Sequence, residues 1–203
     1  SRFHENESDI LGLEMMANAG YEMSHAWKFW EFNIEEAKEL KQNRKYTHWL
    51  DTHPASAERV KSLKKKASEL RQSPNAVSNE ENYQKNISHQ RGKWIKEQIG
   101  RKNFEISKLI IDRLDDLEFN TSEIEYLKGE MYRVKRNDKD LEKAVEHYKK
   151  SIELNNKNFL SYRELGLIYY KRNMNEFKDY LKKYIEFNPN AKDKEMILSY
   201  LEE

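Results

Sequence analysis

"YLKGEMY" (Tyr126–Tyr132) and "RELGLIY" (Arg163–Tyr169) put a glycine at the same point of two similar phrases, and Gly129 and Gly166 stand 37 residues apart. Each phrase is followed by a second: "AVEHYKKSIELNN" (Ala144–Asn156) after the first, "FKDYLKKYIEFNP" (Phe177–Pro189) after the other. The apolar residues recur at helical rather than alternating spacing, so each unit reads as two helices joined by a turn. A residue as small as Gly129 or Gly166 lets the paired helix approach closely, with Tyr132, Tyr148, Tyr169 and Leu181 filling the space between them. Pro189 ends the last of these helices.

A period of 37 is close to the ~34 residues of tetratricopeptide repeats, the extra residues falling in the "KRNDKD" turn. Thr121–Pro189 resembles that family, which implies two antiparallel helix pairs stacked as a right-handed solenoid. "NISHQRGKWIKEQIGRKNFEISKLIIDRLDDLEFN" before it reads as a degenerate earlier pair, and "KDKEMILSYLEE" after it as a closing helix. Stacked pairs create a concave groove, where an extended peptide or a neighbouring domain is expected to bind. Tyr126, Tyr162 and Arg163, on the first helices of the pairs, are the expected contributors; their alternative is ordinary surface or packing between repeats.

The composition agrees with an all-α chain. Of 203 residues, 36% are charged and only 37% hydrophobic, while Gly (6) and Pro (3) are scarce. The 12% aromatic content argues against disorder, because disordered chains lack the large apolar side chains that offset ordering entropy. Lys plus Arg (37) nearly cancels Asp plus Glu (36), so no global field draws in nucleic acid or an anionic membrane. The basic run "KSLKKK" (Lys61–Lys66) spreads around a helix as a solvated face. With no Cys there is no disulfide framework and no thiol chemistry, a composition that fits cytoplasm and periplasm alike. No apolar run approaches the ~20 residues of a membrane helix, and no signal peptide is present. A chain that starts at Ser1, directly in a helical pattern, reads as a fragment of a longer protein.

From Phe3 to Ala19 the apolar residues again follow a helical period, and Gly20 stands where a left-handed cap belongs. Ser24 can cap a second helix, in which Trp27, Phe29 and Trp30 are read as core anchors. "SAERVKSLKKKASELR" makes a third, with Pro54 near its start. Polar "QSPNAVSNEE" (Gln72–Glu81) has the composition of a loop. The expected organisation is residues 1–71, a linker over 72–84, a helical connector or degenerate repeat over 85–120, and repeats over 121–203.

"HENES" (His4–Ser8) raises the question of a metal. A zinc-protease helix reads H-E-x-x-H, but four residues after His4 stands Ser8. Glu5 and Asp9 are four apart, so on a helix both carboxylates point the same way, one turn from each other. They are either two solvated acids on an exposed stripe or parts of a zinc site, one ligating the metal while the other orients a ligating histidine.

"ENESDILGLEMMANAGYE", followed about thirty residues later by "THPASAERVKSL", resembles the zinc metallopeptidase family that includes HtpX, the BepA-type periplasmic proteases and the CaaX prenyl endopeptidase. The resemblance covers roughly Ser1–Leu70. In that family an H-E-x-x-H helix supplies two histidine ligands and the general-base glutamate, and a later E-x-x-x-D helix supplies the third ligand. The resemblance implies that Glu5 is the zinc-ligand glutamate and Asp9 the acid that braces a ligand histidine. It makes His53 the histidine of an "HP…R" motif, stabilising the oxyanion or capping the metal, and Arg59 the arginine that closes that motif.

One departure matters. No H-E-x-x-H occurs in the 203 residues: His4, His25, His48, His53, His89 and His147 include no i, i+4 pair. His4 is then incidental, and Glu5 is the third ligand of a site whose first half lies elsewhere. The resemblance implies a zinc metalloendopeptidase of the bacterial periplasm or cell envelope, hydrolysing protein or peptide substrates with a metal-activated water, and with the repeats as a protein-docking arm. This chain alone is expected to be inactive and to lack tightly held zinc. The alternative is a non-catalytic tetratricopeptide scaffold.

Overall fold

The computed structural model describes residues 2–42, 57–70, 73–78, 80–116 and 121–202. The fold is all-α, with no strand among the described residues. Those residues form α1 (Arg2–Asn18), α2 (Ser24–Gln42), α3 (Ala57–Glu69), α4 (Glu80–Gly100), α5 (Phe104–Asp116), α6 (Thr121–Lys135), α7 (Asp138–Leu154), α8 (Phe159–Lys171), α9 (Phe177–Phe187) and α10 (Lys194–Glu202). They divide into two compact units, Ser1–Asn86 and Ile87–Glu203.

In the first unit, α1 to α3 close on Leu13, Met23 and Leu63, with Ala17, Ala26, Trp27, Trp30, Ala67 and Leu70 packed around them. Gly20 adopts φ +80°. Its N–H bonds Ala17 O at 3.1 Å and the Tyr21 N–H bonds Met16 O at 2.9 Å, the paired bonds of a Schellman cap that only a residue tolerant of left-handed φ completes without strain. The polar stretch after α3 returns to this cap: Val77 N–H bonds Gly20 O at 2.9 Å, and Glu22 N–H bonds Val77 O at 3.3 Å. Phe29 corrects the expectation of three aromatic anchors, since it is 52% exposed. Met23, just before α2, and Ala26, Trp27 and Trp30 on it recur at steps of three and four along its inner face, and Phe29 falls off that stripe. The lysines of α3 do lie at the surface, but two of them tie the unit together: Lys64 pairs with Glu31 on α2 at 2.6 Å and Lys66 with Glu14 on α1 at 2.7 Å.

The second unit stacks helix pairs. An added Cβ at Gly129 would lie 2.5 Å from Cε1 of Tyr148, and one at Gly166 would lie 2.4 Å from Cδ2 of Leu181 and 3.3 Å from its backbone nitrogen. Both glycines therefore sit where α7 and α9 press against α6 and α8, and Tyr148 and Leu181 are fully buried there. Gly166→Leu is expected to destabilise the chain by about 1–3 kcal/mol through overpacking, because the obstruction includes backbone that cannot rotate away. A thermal melt is the check, and an unchanged transition would contradict this packing. At the C-terminal end, α10 covers the last pair with Ile197 fully buried and Tyr200 stacked on Tyr170 at 4.3 Å. At the other end, Ile95 and Ile99 of α4 and Ile111 of α5 enter the same core.

A buried carboxylate pins α6 to α7. Glu125 has only 3% of its side chain exposed, and accepts from His147 Nδ1 at 2.7 Å and from Lys128 and Lys150 at 3.0 Å each. Burial pushes its carboxyl up, but the bonds from His147, Lys150 and Lys128 outweigh that and hold it at about 2 against the ordinary 4.5. A group depressed in the folded state contributes stability that is complete above its unfolded pKa and is lost as pH falls through the folded one. Urea melts should therefore show about 2–3 kcal/mol disappearing between roughly pH 4.5 and 2. Glu125→Gln should flatten that acid limb, and an identical limb in the variant would count against it.

Candidate functional site

Glu5 and Asp9 lie on α1, and Arg59 reaches them from α3. The Arg59 fork donates to both oxygens of Asp9, Nε to Oδ2 at 2.6 Å and Nη2 to Oδ1 at 2.7 Å, while Nη1 lies 3.4 Å from Glu5 Oε2. Planar, two-point pairing is the strongest geometry open to an arginine and a carboxylate. These groups are largely withdrawn from water: side-chain exposure is 11% for Arg59, 11% for Asp9 and 20% for Glu5. The exposed-stripe reading of the two acids is thereby corrected. Their mutual repulsion is offset by a cation shared between them.

A second contact fixes the arginine. The guanidinium carbon of Arg59 sits 3.6 Å from the centre of the Trp30 ring. Three helices thus contribute one side chain or more to a single cluster: two acids from α1, a flat aromatic face from α2 and the guanidinium from α3. Sequence reading brought Glu5, Asp9 and Arg59 forward but left Trp30 among the core anchors. Nothing local could have revealed it, because Trp30 and Arg59 are 29 positions apart and their contact depends on how α2 and α3 pack. His53, the other expected participant, lies outside the described residues. His4 stands at the surface, 3.8 Å from Glu7 and with 74% of its side chain exposed, away from this cluster.

Residues 1–67 match a family described as Peptidase family M48, and residues 136–173 match a TPR repeat. An M48-like segment is thus followed by a stretch similar to a tetratricopeptide repeat. No curated protein and no solved structure matches it. The M48 segment ends within α3, so the match takes in Glu5, Asp9, Trp30 and Arg59 together.

M48 peptidases are generally zinc enzymes, and the donor chemistry of the segment bears on how much of a zinc site it holds. Among the described residues, no three His, Cys, Asp or Glu side chains come together as a metal site. A carboxylate has about four lone-pair positions, so Asp9 can accept from a further donor while Arg59 occupies one position on each oxygen. Arg59 lies farther from Glu5, with Nη1 3.4 Å from Oε2. Carboxylates such as Glu5 and Asp9 are of the donor type that ligates zinc or accepts the ring N–H of a zinc-bound histidine.

In the repeat unit, a cavity of about 520 Å³ opens between α4, α6 and the start of α8, lined among others by Gly92, Lys96, Glu123, Tyr126 and Asn158. Tyr126 forms its floor, only 3% exposed, and its hydroxyl accepts from Lys96 Nζ at 2.7 Å. The groove expectation is corrected for the other two residues. Tyr162 is 5% exposed and packs its ring against Tyr180 and Phe187. Arg163 spends its guanidinium inside the chain, with Nε 2.6 Å from Asp193 and Nη1 2.6 Å from Glu164. An aromatic or arginine at the right helical register satisfies a groove and an inter-helix seam equally well, and here the seam takes them. No helix among the described residues is long and apolar enough to cross a membrane.

Proposed function

We propose that this chain is the part of a zinc-dependent metalloendopeptidase that completes its metal site, joined to a tetratricopeptide arm that binds protein. The observation supporting it is the clamp of Arg59 on Asp9 and Glu5 within the M48 segment. A bound zinc ion would supply Lewis acidity and an activated water for attack on a peptide carbonyl. Glu5 contributes one carboxylate ligand. Asp9, its charge and rotamer set by Arg59, accepts the free ring N–H of a ligating histidine and so fixes that ring. His53 supports the oxyanion or caps the metal. The repeats present protein substrates or partners through the cavity floored by Tyr126, and the enzyme works on misfolded proteins of the bacterial cell envelope.

The chain by itself then neither retains zinc nor cleaves protein, since one ligand falls short of the three a catalytic zinc takes from protein. Zinc titration calorimetry and casein cleavage, run on this chain and on the protein extended to include an H-E-x-x-H helix, test the reading. Expected are no tight zinc and no cleavage for the chain, and both for the extended protein. Tight zinc in the chain alone would overturn the partial-site reading. An extended protein that holds no zinc and cleaves nothing would favour the scaffold alternative.

A further inference from the structure

We infer that Trp30 is a positioning residue of the M48 segment: its ring is the shelf that sets the plane of Arg59, and through Arg59 the orientation of Asp9 and Glu5. The inference rests on the proposed role of those acids for its functional meaning, but not for its physical test. An arginine that reaches across from another helix has four soft side-chain torsions, and its two hydrogen bonds to Asp9 constrain the head only within their own plane. A second surface must stop it from rocking about that plane. Trp30 provides it, with the guanidinium carbon 3.6 Å from the ring centre, a stacking distance. Guanidinium prefers such faces because it is planar and weakly hydrated above and below, and indole offers the strongest face.

The surroundings make the ring a fixed surface rather than a loose lid. Trp30 packs into the cluster of Leu13, Met23 and Leu63, and its neighbour Phe29 meets it edge-on at 5.0 Å. Leu13 belongs to the same helix as both acids, and Leu63 to the same helix as Arg59, so one small core fixes acids, cation and shelf together. Core packing alone would be satisfied by any large apolar side chain at position 30. Stacking is satisfied only by an aromatic one, and that difference is what an experiment can read.

The test is nuclear magnetic resonance of the Arg59 side chain in the 203-residue protein, without metal. In the unaltered chain the Arg59 Nε–H should exchange slowly with water, and its Cδ protons should be shifted upfield by the indole ring current. Trp30→Tyr and Trp30→Phe should keep exchange within about threefold of that, while Trp30→Leu, apolar but without a π face, should speed it by about tenfold or more. Backbone amide spectra of α1 and α3 confirm that each variant is folded. Trp30→Leu with unchanged Nε–H exchange would overturn the inference. Should Trp30→Leu fail to fold, the unaltered chain still decides, because an Arg59 side chain with neither slow exchange nor an upfield shift is not stacked. Zinc titration of the extended protein separates the two readings: a Glu5 variant that keeps full zinc affinity sinks the metal-site role and leaves the shelf standing, whereas an Arg59 signal indifferent to Trp30 does the reverse.

Discussion

Glu5→Ala in the extended, H-E-x-x-H-containing protein is expected to weaken zinc binding by more than about a hundredfold and to remove casein cleavage, whereas Asp9→Asn is expected to cost only about 10–100-fold in affinity. The ranking follows from geometry. Arg59 holds Glu5 more weakly than Asp9, at 3.4 Å against 2.6 and 2.7 Å, so Glu5 can turn to a metal at the smaller cost. Asp9 has both oxygens committed at 2.6 and 2.7 Å, which suits an acid that braces other side chains rather than one that ligates. Asn at position 9 keeps one acceptor oxygen but loses the charge that Arg59 answers, and it turns one of its two contacts into donor facing donor. Calorimetry on the two variants decides. An Asp9→Asn loss equal to or larger than that of Glu5→Ala would exchange their roles, and undiminished cleavage by Glu5→Ala would remove Glu5 from the site altogether. Arg59→Lys adds a control: lysine keeps the charge but lacks the fork, so affinity should fall toward the Asp9→Asn value rather than stay unchanged.

What could be read from the chain, and what could not, follows the distance over which each contact acts. The glycine echo at Gly129 and Gly166 was legible because each glycine meets a helix fewer than twenty residues away, and the repetition shows the same geometric demand twice. The Gly20 cap was legible for a similar reason, since its two bonds close within one helical turn. The pairing of Arg59 with Asp9 spans 50 positions and that with Trp30 spans 29, beyond the reach of any periodicity. For Tyr162 and Arg163 the helical register was visible but the occupant of the space beside them was not. Phe187 and Tyr180 fill it for the tyrosine and Asp193 for the arginine, all three supplied by later helices or turns.

A buried network of charges that spacing had not shown carries the largest stability effect expected in the repeats. Glu130 on α6 has 5% of its side chain exposed. It accepts from Arg133 Nε at 2.8 Å and Nη2 at 2.9 Å, and from the Tyr148 hydroxyl at 2.6 Å. Burial pushes its carboxyl up, and the bonds and charge of Arg133 bring it below the ordinary range. Arg133 also lies 3.2 Å from Glu164 on α8, whose second cation, Arg163, reaches Asp193 just before α10. Arg133 therefore reaches both of two buried acids on adjacent repeats, while Lys96 lies 3.7 Å from Glu130 and Arg163 2.6 Å from Glu164. Arg133→Met keeps the bulk of the stem and removes the cation common to both acids, leaving Glu130 with Lys96 at 3.7 Å and Glu164 with Arg163. Breaking a buried pair from one side costs about 3–5 kcal/mol; with 36% of the Arg133 side chain still reaching water, the lower end, about 3 kcal/mol, is expected. Urea unfolding measures it, and Glu130→Gln added to Arg133→Met should recover a large part of the loss, because the second change removes the charge that the first stranded. A loss under about 1 kcal/mol for Arg133→Met, the range of an exposed pair, would mean that water reaches this seam and that the repeats are joined by their apolar contacts alone.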